Sequence, residues 1–204
     1  MNESKNIIFD FGGVIIHIDY MLTEVAFKKL GIKKFEEHYS KLTQSRLFDE
    51  FETGMISASE FRDRIRRISI IPLSDEQIDD AWNAMLIDLP TESVDFLMAL
   101  KKNRRLFLLS NTNEIHEHAF TKLIQEKFGK NVLKELFERI YFSHRLKMRK
   151  PDPDIFRRVL KENNLPADET LFVDDSFQHI EGAKKAGLAT FHFENGKVLG
   201  DILD

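Results

Sequence analysis

One stretch near the start of the chain, Ile7-Ile8-Phe9-Asp10-Phe11-Gly12-Gly13-Val14-Ile15-Ile16, limits what the whole can fold into. Two apolar runs flank a carboxylate and a Gly pair. A short apolar run closed by a turn signal reads as a strand buried on both faces, of the kind found inside parallel sheets. An ionised Asp at the end of such a strand is costly unless its charge is compensated. Gly12 and Gly13 let the backbone bend and approach a ligand closely. Two readings of Asp10 stand at this point: a turn cap, or a nucleophile or metal ligand delivered by a strand to a Gly-rich turn.

Residues 20–88 change character. Ala, Leu, Glu, Lys and Phe recur at helical spacing with no clear period-two stretch, and His17-Ile18-Asp19-Tyr20 reads as a connector into this region. Val25, Leu30 and Ile32 line one expected helical face, and Phe35, Tyr39 and Leu42 another. Ser57-Ala58-Ser59-Glu60 and Ser74-Asp75-Glu76-Gln77 have the form of capping boxes, and Gly54 is placed to end a helix. The spacing predicts a bundle of about four helices inserted after the first strand.

From Pro90 onward, helices alternate with short apolar runs. Strands are expected at 105–109, 139–142, 170–173 and 188–193, and helices at 91–102, 115–127, 152–163 and up to Ala186, where Gly187 stops the last one. The tail from Asn195 reads as a short helix or irregular chain. Alternation of this kind implies an α/β fold: a parallel sheet of about five strands, flanked by helices, with right-handed crossovers. Ligands bind such sheets beyond the carboxyl ends of the strands. The residues just past the apolar runs are Asp10, Ser110-Asn111, a basic segment after the third run, and Asp174-Asp175, so all are expected at one edge.

Composition narrows the chemistry. The 204 residues carry a net charge of −4, and 31% are charged and 42% hydrophobic, which fits a soluble globular protein. There is no Cys, which excludes disulfides and thiol nucleophiles. Lys101-Lys102-Asn103-Arg104-Arg105 reads as the solvated end of a helix rather than a nucleic-acid site. No apolar run reaches the roughly 20 residues that span a bilayer, and Asp10 with its glycines interrupts anything resembling a signal peptide. The expectation is a cytoplasmic monomer with no nucleic-acid or membrane partner.

Four segments now fall into order. Phe9-Asp10-Phe11-Gly12-Gly13-Val14, Leu109-Ser110-Asn111-Thr112-Asn113, Met148-Arg149-Lys150-Pro151 and Phe172-Val173-Asp174-Asp175 resemble the four motifs of the haloacid dehalogenase-like hydrolases, across almost the whole chain. Ser110-Asn111-Thr112-Asn113, Met148-Arg149-Lys150-Pro151 and Ile180-Glu181-Gly182-Ala183 are similar to bacterial phosphatases acting on α-D-glucose 1-phosphate. The resemblance implies a Rossmann-like catalytic core over 1–16 and 89–204, with residues 17–88 forming a helical cap. It implies a Mg²⁺-dependent phosphatase of a small phosphate ester, working through an aspartyl-phosphate.

Site roles follow from the same resemblance. Asp10 would be the nucleophile. The Mg²⁺ ligands would be Asp10, the Gly12 carbonyl and Asp175, with Asp174 a further ligand or an acceptor behind them. Asp174 and Asp175 also suit an N-cap pair. Ser110 and Asn111 would donate to phosphate oxygens, or cap the next helix. Lys150 would neutralise phosphoryl charge, and Arg149 is expected to face solvent. Asp19, Glu52 and Gly54 are candidates for substrate contact from the cap.

One position departs from the family pattern. Many of these phosphatases carry an acid/base Asp two residues after the nucleophile, where this chain has Gly12. Three explanations stand. The leaving group is acidic, as an anomeric hydroxyl is; or His17, His116 or His144 substitutes; or the protein is a phosphometabolite-binding regulator with little turnover.

Overall fold

The computed structural model describes residues 4–32, 46–194 and 198–203. Strand β1 (Asn6–Phe9) ends one residue before Asp10. A tight loop follows, in which the N–H groups of Ile15 and Ile16 both donate to the Phe11 carbonyl at 2.9 Å. Next come β2 (His17–Ile18), α1 (Tyr20–Lys29), α2 (Arg46–Glu52), α3 (Ala58–Ile68), α4 (Asp75–Asn83) and β3 (Leu86–Asp88). The rest alternates: α5 (Thr91–Leu100), β4 (Arg105–Ser110), α6 (Glu114–Phe128), α7 (Leu133–Leu136), β5 (Arg139–Phe142), α8 (Ser143–Leu146) and α9 (Pro153–Asn163). It closes with β6 (Thr170–Asp174), α10 (Phe177–Lys185) and β7 (Ala189–His192), with 3₁₀ turns at Ala167–Glu169 and Leu199–Leu203.

The main sheet is parallel throughout, in the order β5-β4-β1-β6-β7. β1 is central, with Ile8 opposite Phe107 on one side and Phe172 on the other. Strand periodicity sorts its residues between two cores. Ile7, Phe9, Leu106, Leu108, Leu171 and Val173 pack with α5 and α6, while Ile8, Phe107, Leu109 and Phe172 pack with α9 and α10. With helices on both faces, every central-strand side chain is buried, which is why these strands read as continuous apolar runs.

The helices between β2 and β3 have a core of their own, which includes Phe27, Phe48, Phe51, Phe61 and Trp82 and takes in Ile115 from α6. Phe51 stacks on Phe61 at 4.3 Å, and Phe48 on Trp82 at 5.3 Å. Ser74 makes the full reciprocal capping box with Gln77. Ser57 makes half of one: its hydroxyl accepts from the Glu60 N–H at 3.2 Å, while the Glu60 carboxylate goes to Arg64.

Three expectations are corrected. His17–Ile18 is not a plain connector but pairs antiparallel with Leu86–Asp88, within a region read as wholly helical. Strands of two and three residues are too short to display a period, so nothing in the local pattern announces them. Val25 is 42% exposed. It lies about 200° round α1 from Phe27, and it is Phe27 that fills the core. The short helices α7 and α8 were not expected. Phe35, Tyr39 and Leu42 lie outside the described residues, as does the start of the tail.

Trp82 joins the helical unit to the core. Its indole N–H donates to Asn113 Oδ1 at 3.3 Å, and its ring stacks on His116 at 4.8 Å. Asn113 Nδ2 meets His116 Nδ1 at 3.2 Å, and His116 Nε2 meets the Trp82 carbonyl at 3.1 Å. An imidazole protonated on Nε2 alone satisfies every one of these contacts.

Candidate active site

Strand ends position the site. Asp10 follows β1, Ser110 closes β4, Asp174 closes β6, and Lys150 comes from the loop after α8. A cavity of about 550 Å³ opens at this edge, and Asp10, Gly12, Ser110, Asn111, Lys150 and Asp175 all line it. The fold therefore brings together the residues expected at the sheet edge. Asp174 lies beneath, fully buried.

Lys150 is completely buried, with its ammonium 2.8 Å from Asp10 Oδ1 and 2.6 Å from Asp174 Oδ2. Its Nζ also sits 5.3 Å from the centre of the Phe172 ring. Burying this cation is tolerable only because two carboxylates receive it. Asp174 is saturated: besides Lys150 it accepts the Ser176 N–H at 2.7 Å and faces His179 Nδ1 at 3.0 Å. Burial opposes the charge on Asp174, but Lys150 and His179 outweigh it and hold this carboxyl well below its ordinary range. Asp10 goes the other way. Burial, then the charge of Asp174, push it up to about 8 against the pull of Lys150.

With Asp174 and Asp175 beside it and one ammonium in reach, Asp10 ionises at neutral pH only if a further positive charge joins this centre. The oxygens of Asp10 and Asp175 and the Gly12 carbonyl suit a hard divalent cation such as Mg²⁺. Asp175 lies close over Gly13: a Cβ built there would sit 2.7 Å from Asp175 Oδ2, and Gly13 has a φ of +78° that side chains avoid. The Asp10–Asp174–His179 cluster is compact enough to hold an ion. Lys150 already bridges its two carboxylates, and Asp174 lies beneath the cavity, whereas Asp10, Gly12 and Asp175 all line it.

The alternatives left open by the sequence resolve in part. Helix α6 is capped by Asn113, not by Ser110 or Asn111. Asn111 spends its amide on the Lys150 backbone, donating to its carbonyl and accepting from its N–H, both at 2.9 Å. Its side-chain oxygen and one of its two amide N–H groups therefore brace the lysine loop, and its nitrogen also lies 3.5 Å from His179 Nε2. Arg149 does not simply face solvent: it pairs with Asp49 and, at 3.0 Å, with Glu52 on α2. Of the three His candidates, His17 is exposed, His144 is engaged by Thr112 and Glu117, and His116 is locked against Trp82. His179, which sequence reasoning missed, is the imidazole on the Asp174 carboxylate, and it lines the cavity. A His near the start of the helix after a carboxylate pair was the available signal.

The haloacid dehalogenase-like hydrolase family matches residues 5–187. The chain belongs to this family. Among its relatives, the D-ribitol-5-phosphate phosphatase of Bacteroides thetaiotaomicron is 35% identical over 192 residues, 94% of this chain and 93% of the relative. A crystal structure of a haloacid dehalogenase-like (HAD) family enzyme from B. thetaiotaomicron, wild type in complex with magnesium and inorganic phosphate, is 36% identical. It superposes with a TM-score of 0.88, covering 98% of this chain and 99% of that one. A HAD-like hydrolase from Porphyromonas gingivalis is 30% identical with a TM-score of 0.88, covering 98% and 96%. Within this HAD chain, Gly182 also finds its reason. A Cβ there would collide with the Pro151 carbonyl, so the glycine lets α10 press against the loop that carries Lys150.

Proposed function

We propose that this phosphatase, which uses Mg²⁺, hydrolyses the phosphate monoester of a small sugar or polyol through an aspartyl-phosphate on Asp10. The observation that carries the reading is the buried Lys150 ammonium, 2.8 Å from Asp10 and 2.6 Å from Asp174, at the floor of the cavity. Lys150 keeps one Asp10 oxygen fixed and meets phosphoryl charge as it builds. Ser110 stands at the end of β4 in the lining of the same cavity as Asp10, where its hydroxyl would donate to a phosphate oxygen. Asp10, Asp175 and the Gly12 carbonyl would hold the metal, which supplies charge neutralisation when bound. Asp10 attacks phosphorus as the ester bond breaks, and water then cleaves the acyl phosphate. His179 and Asn111 position Asp174 and Lys150. Residues 17–88 act as the cap that shuts water out.

The relative's substrate is a primary phosphate, so a pentitol or pentose 5-phosphate is the first choice. The narrower expectation of α-D-glucose 1-phosphate gains no support from these relatives. Gly12 cannot protonate the leaving oxygen, and a Cβ at that position would sit 3.0 Å from Ile18 Cδ1, so the space is filled by an apolar side chain. Rates should therefore rise with the acidity of the leaving group. An intact Asp10–Lys150–Asp174 centre favours turnover over a purely regulatory binder.

The test is phosphate release from D-ribitol 5-phosphate, other pentose and pentitol 5-phosphates, α-D-glucose 1-phosphate and p-nitrophenyl phosphate. Each is assayed with Mg²⁺, with chelator, and with Asp10→Asn. Mg²⁺-dependent release that falls at least about a thousand-fold in Asp10→Asn is expected. Release indifferent to chelator, or wild-type rates in the variant, would refute the reading.

A further inference from the structure

The cavity that Asp10 lines has a second charged stretch, contributed by α2 and the lysine loop. Glu52, the last residue of α2, is 8% exposed and lies 3.0 Å from the Arg149 guanidinium. Asp49, one turn earlier, pairs with the same guanidinium, and all three residues line the cavity. Among the described residues, this part of the lining sets two carboxylates beside one guanidinium. Tyr20 and Glu52 line the same cavity as Asp10 and Asp175, so the Glu52 carboxylate and the reacting centre border one space.

We infer that Glu52, steered by Arg149, reads the leaving group, accepting hydrogen bonds from its hydroxyls and turning away esters that carry a second anion. The inference rests on the phosphatase reading and deepens it. A carboxylate only accepts hydrogen bonds, so it complements hydroxyl donors and repels a carboxylate or second phosphate at the same place. Beside a buried carboxylate, that repulsion is felt more strongly than in bulk water. Arg149 does two jobs from one position. It adjoins Lys150 in sequence, so the loop that presents the catalytic ammonium also aims the wall that reads the substrate. The substrates selected are neutral beyond their phosphate and rich in hydroxyls, as pentitol and pentose phosphates are.

The experiment compares kcat/KM for D-ribitol 5-phosphate and for 2-phosphoglycolate, a monoester carrying a carboxylate, in wild type, Glu52→Gln and Arg149→Gln. Wild type should prefer the polyol ester. Glu52→Gln removes a negative charge at constant shape, and should raise KM for the polyol ester and shrink the preference about tenfold. Arg149→Gln removes a positive charge and should move the preference the opposite way. A clamp with only a structural role would lower both substrates by the same factor in both variants. That result, or a preference that shifts in the same direction in both variants, overturns the inference. No Mg²⁺-dependent release from any ester by wild type overturns the phosphatase reading instead, and the inference with it.

Discussion

Asn111 and Lys150 are tied to each other twice through the main chain: the Asn111 amide donates to the Lys150 carbonyl and accepts from the Lys150 N–H, both at 2.9 Å. This pair of bonds fixes where the lysine loop stands relative to the end of β4. The Lys150 side chain can then reach both Asp10 and Asp174 without searching.

Replacing Asn111 with Ala should therefore act as a displacement of Lys150. Two backbone groups lose their partners, at about 1–3 kcal/mol for each one left buried and unsatisfied. A shift of about 1 Å in a catalytic group costs on the order of a hundred-fold in rate. Thermal unfolding and kcat measured together check this. A variant that melts lower but turns over normally would show that the brace serves stability alone.

Gly182 sets a steric limit on the same loop from the other side. A Cβ there collides with the Pro151 carbonyl oxygen, a backbone atom that cannot rotate away. Gly182→Ala should cost about 1–3 kcal/mol as an overpacked contact, and should lower kcat because the Lys150 loop must give way. Addition of Mg²⁺ should not restore the rate. A crystal structure of the variant would show whether α10 or the loop has moved.

His116 should make the junction at Trp82 sensitive to acid. Burial pushes its imidazole down to about 4, and its Nδ1 faces the Asn113 amide N–H, which a proton there would oppose. The unfolded chain takes up that proton near pH 6.5, while the folded protein resists it down to about pH 4. Stability from the neutral imidazole is therefore whole above pH 6.5 and drains away as pH falls toward 4, by on the order of 3 kcal/mol. Denaturant melts between pH 4 and 8 should show this slope, and His116→Gln should flatten it. An equal slope in the variant would place the acid sensitivity elsewhere.

Much of this was legible in the chain. The five parallel strands and the meeting of Asp10, Ser110, a basic segment and Asp175 at one edge follow from apolar runs and the polar residues that end them. The ribbon of His17–Ile18 with Leu86–Asp88 was not legible, because so few residues show no period. The brace role of Asn111 was hidden because its partner lies 39 residues away. Arg149 looked like one more solvated cation until α2 folded over it.

Periodicity and turn chemistry act between neighbours, so the amino-acid order by itself determined the elements and the list of residues presented where strands stop. Which of those residues spend their lone pairs on one another was decided only when distant segments packed. Asp174 is claimed by Lys150 and His179, Asn111 by a backbone, and Glu52 by a guanidinium from the core. The physical reason is that a buried charge or amide must find a partner, and the partner at hand is set by three-dimensional packing rather than by position along the chain.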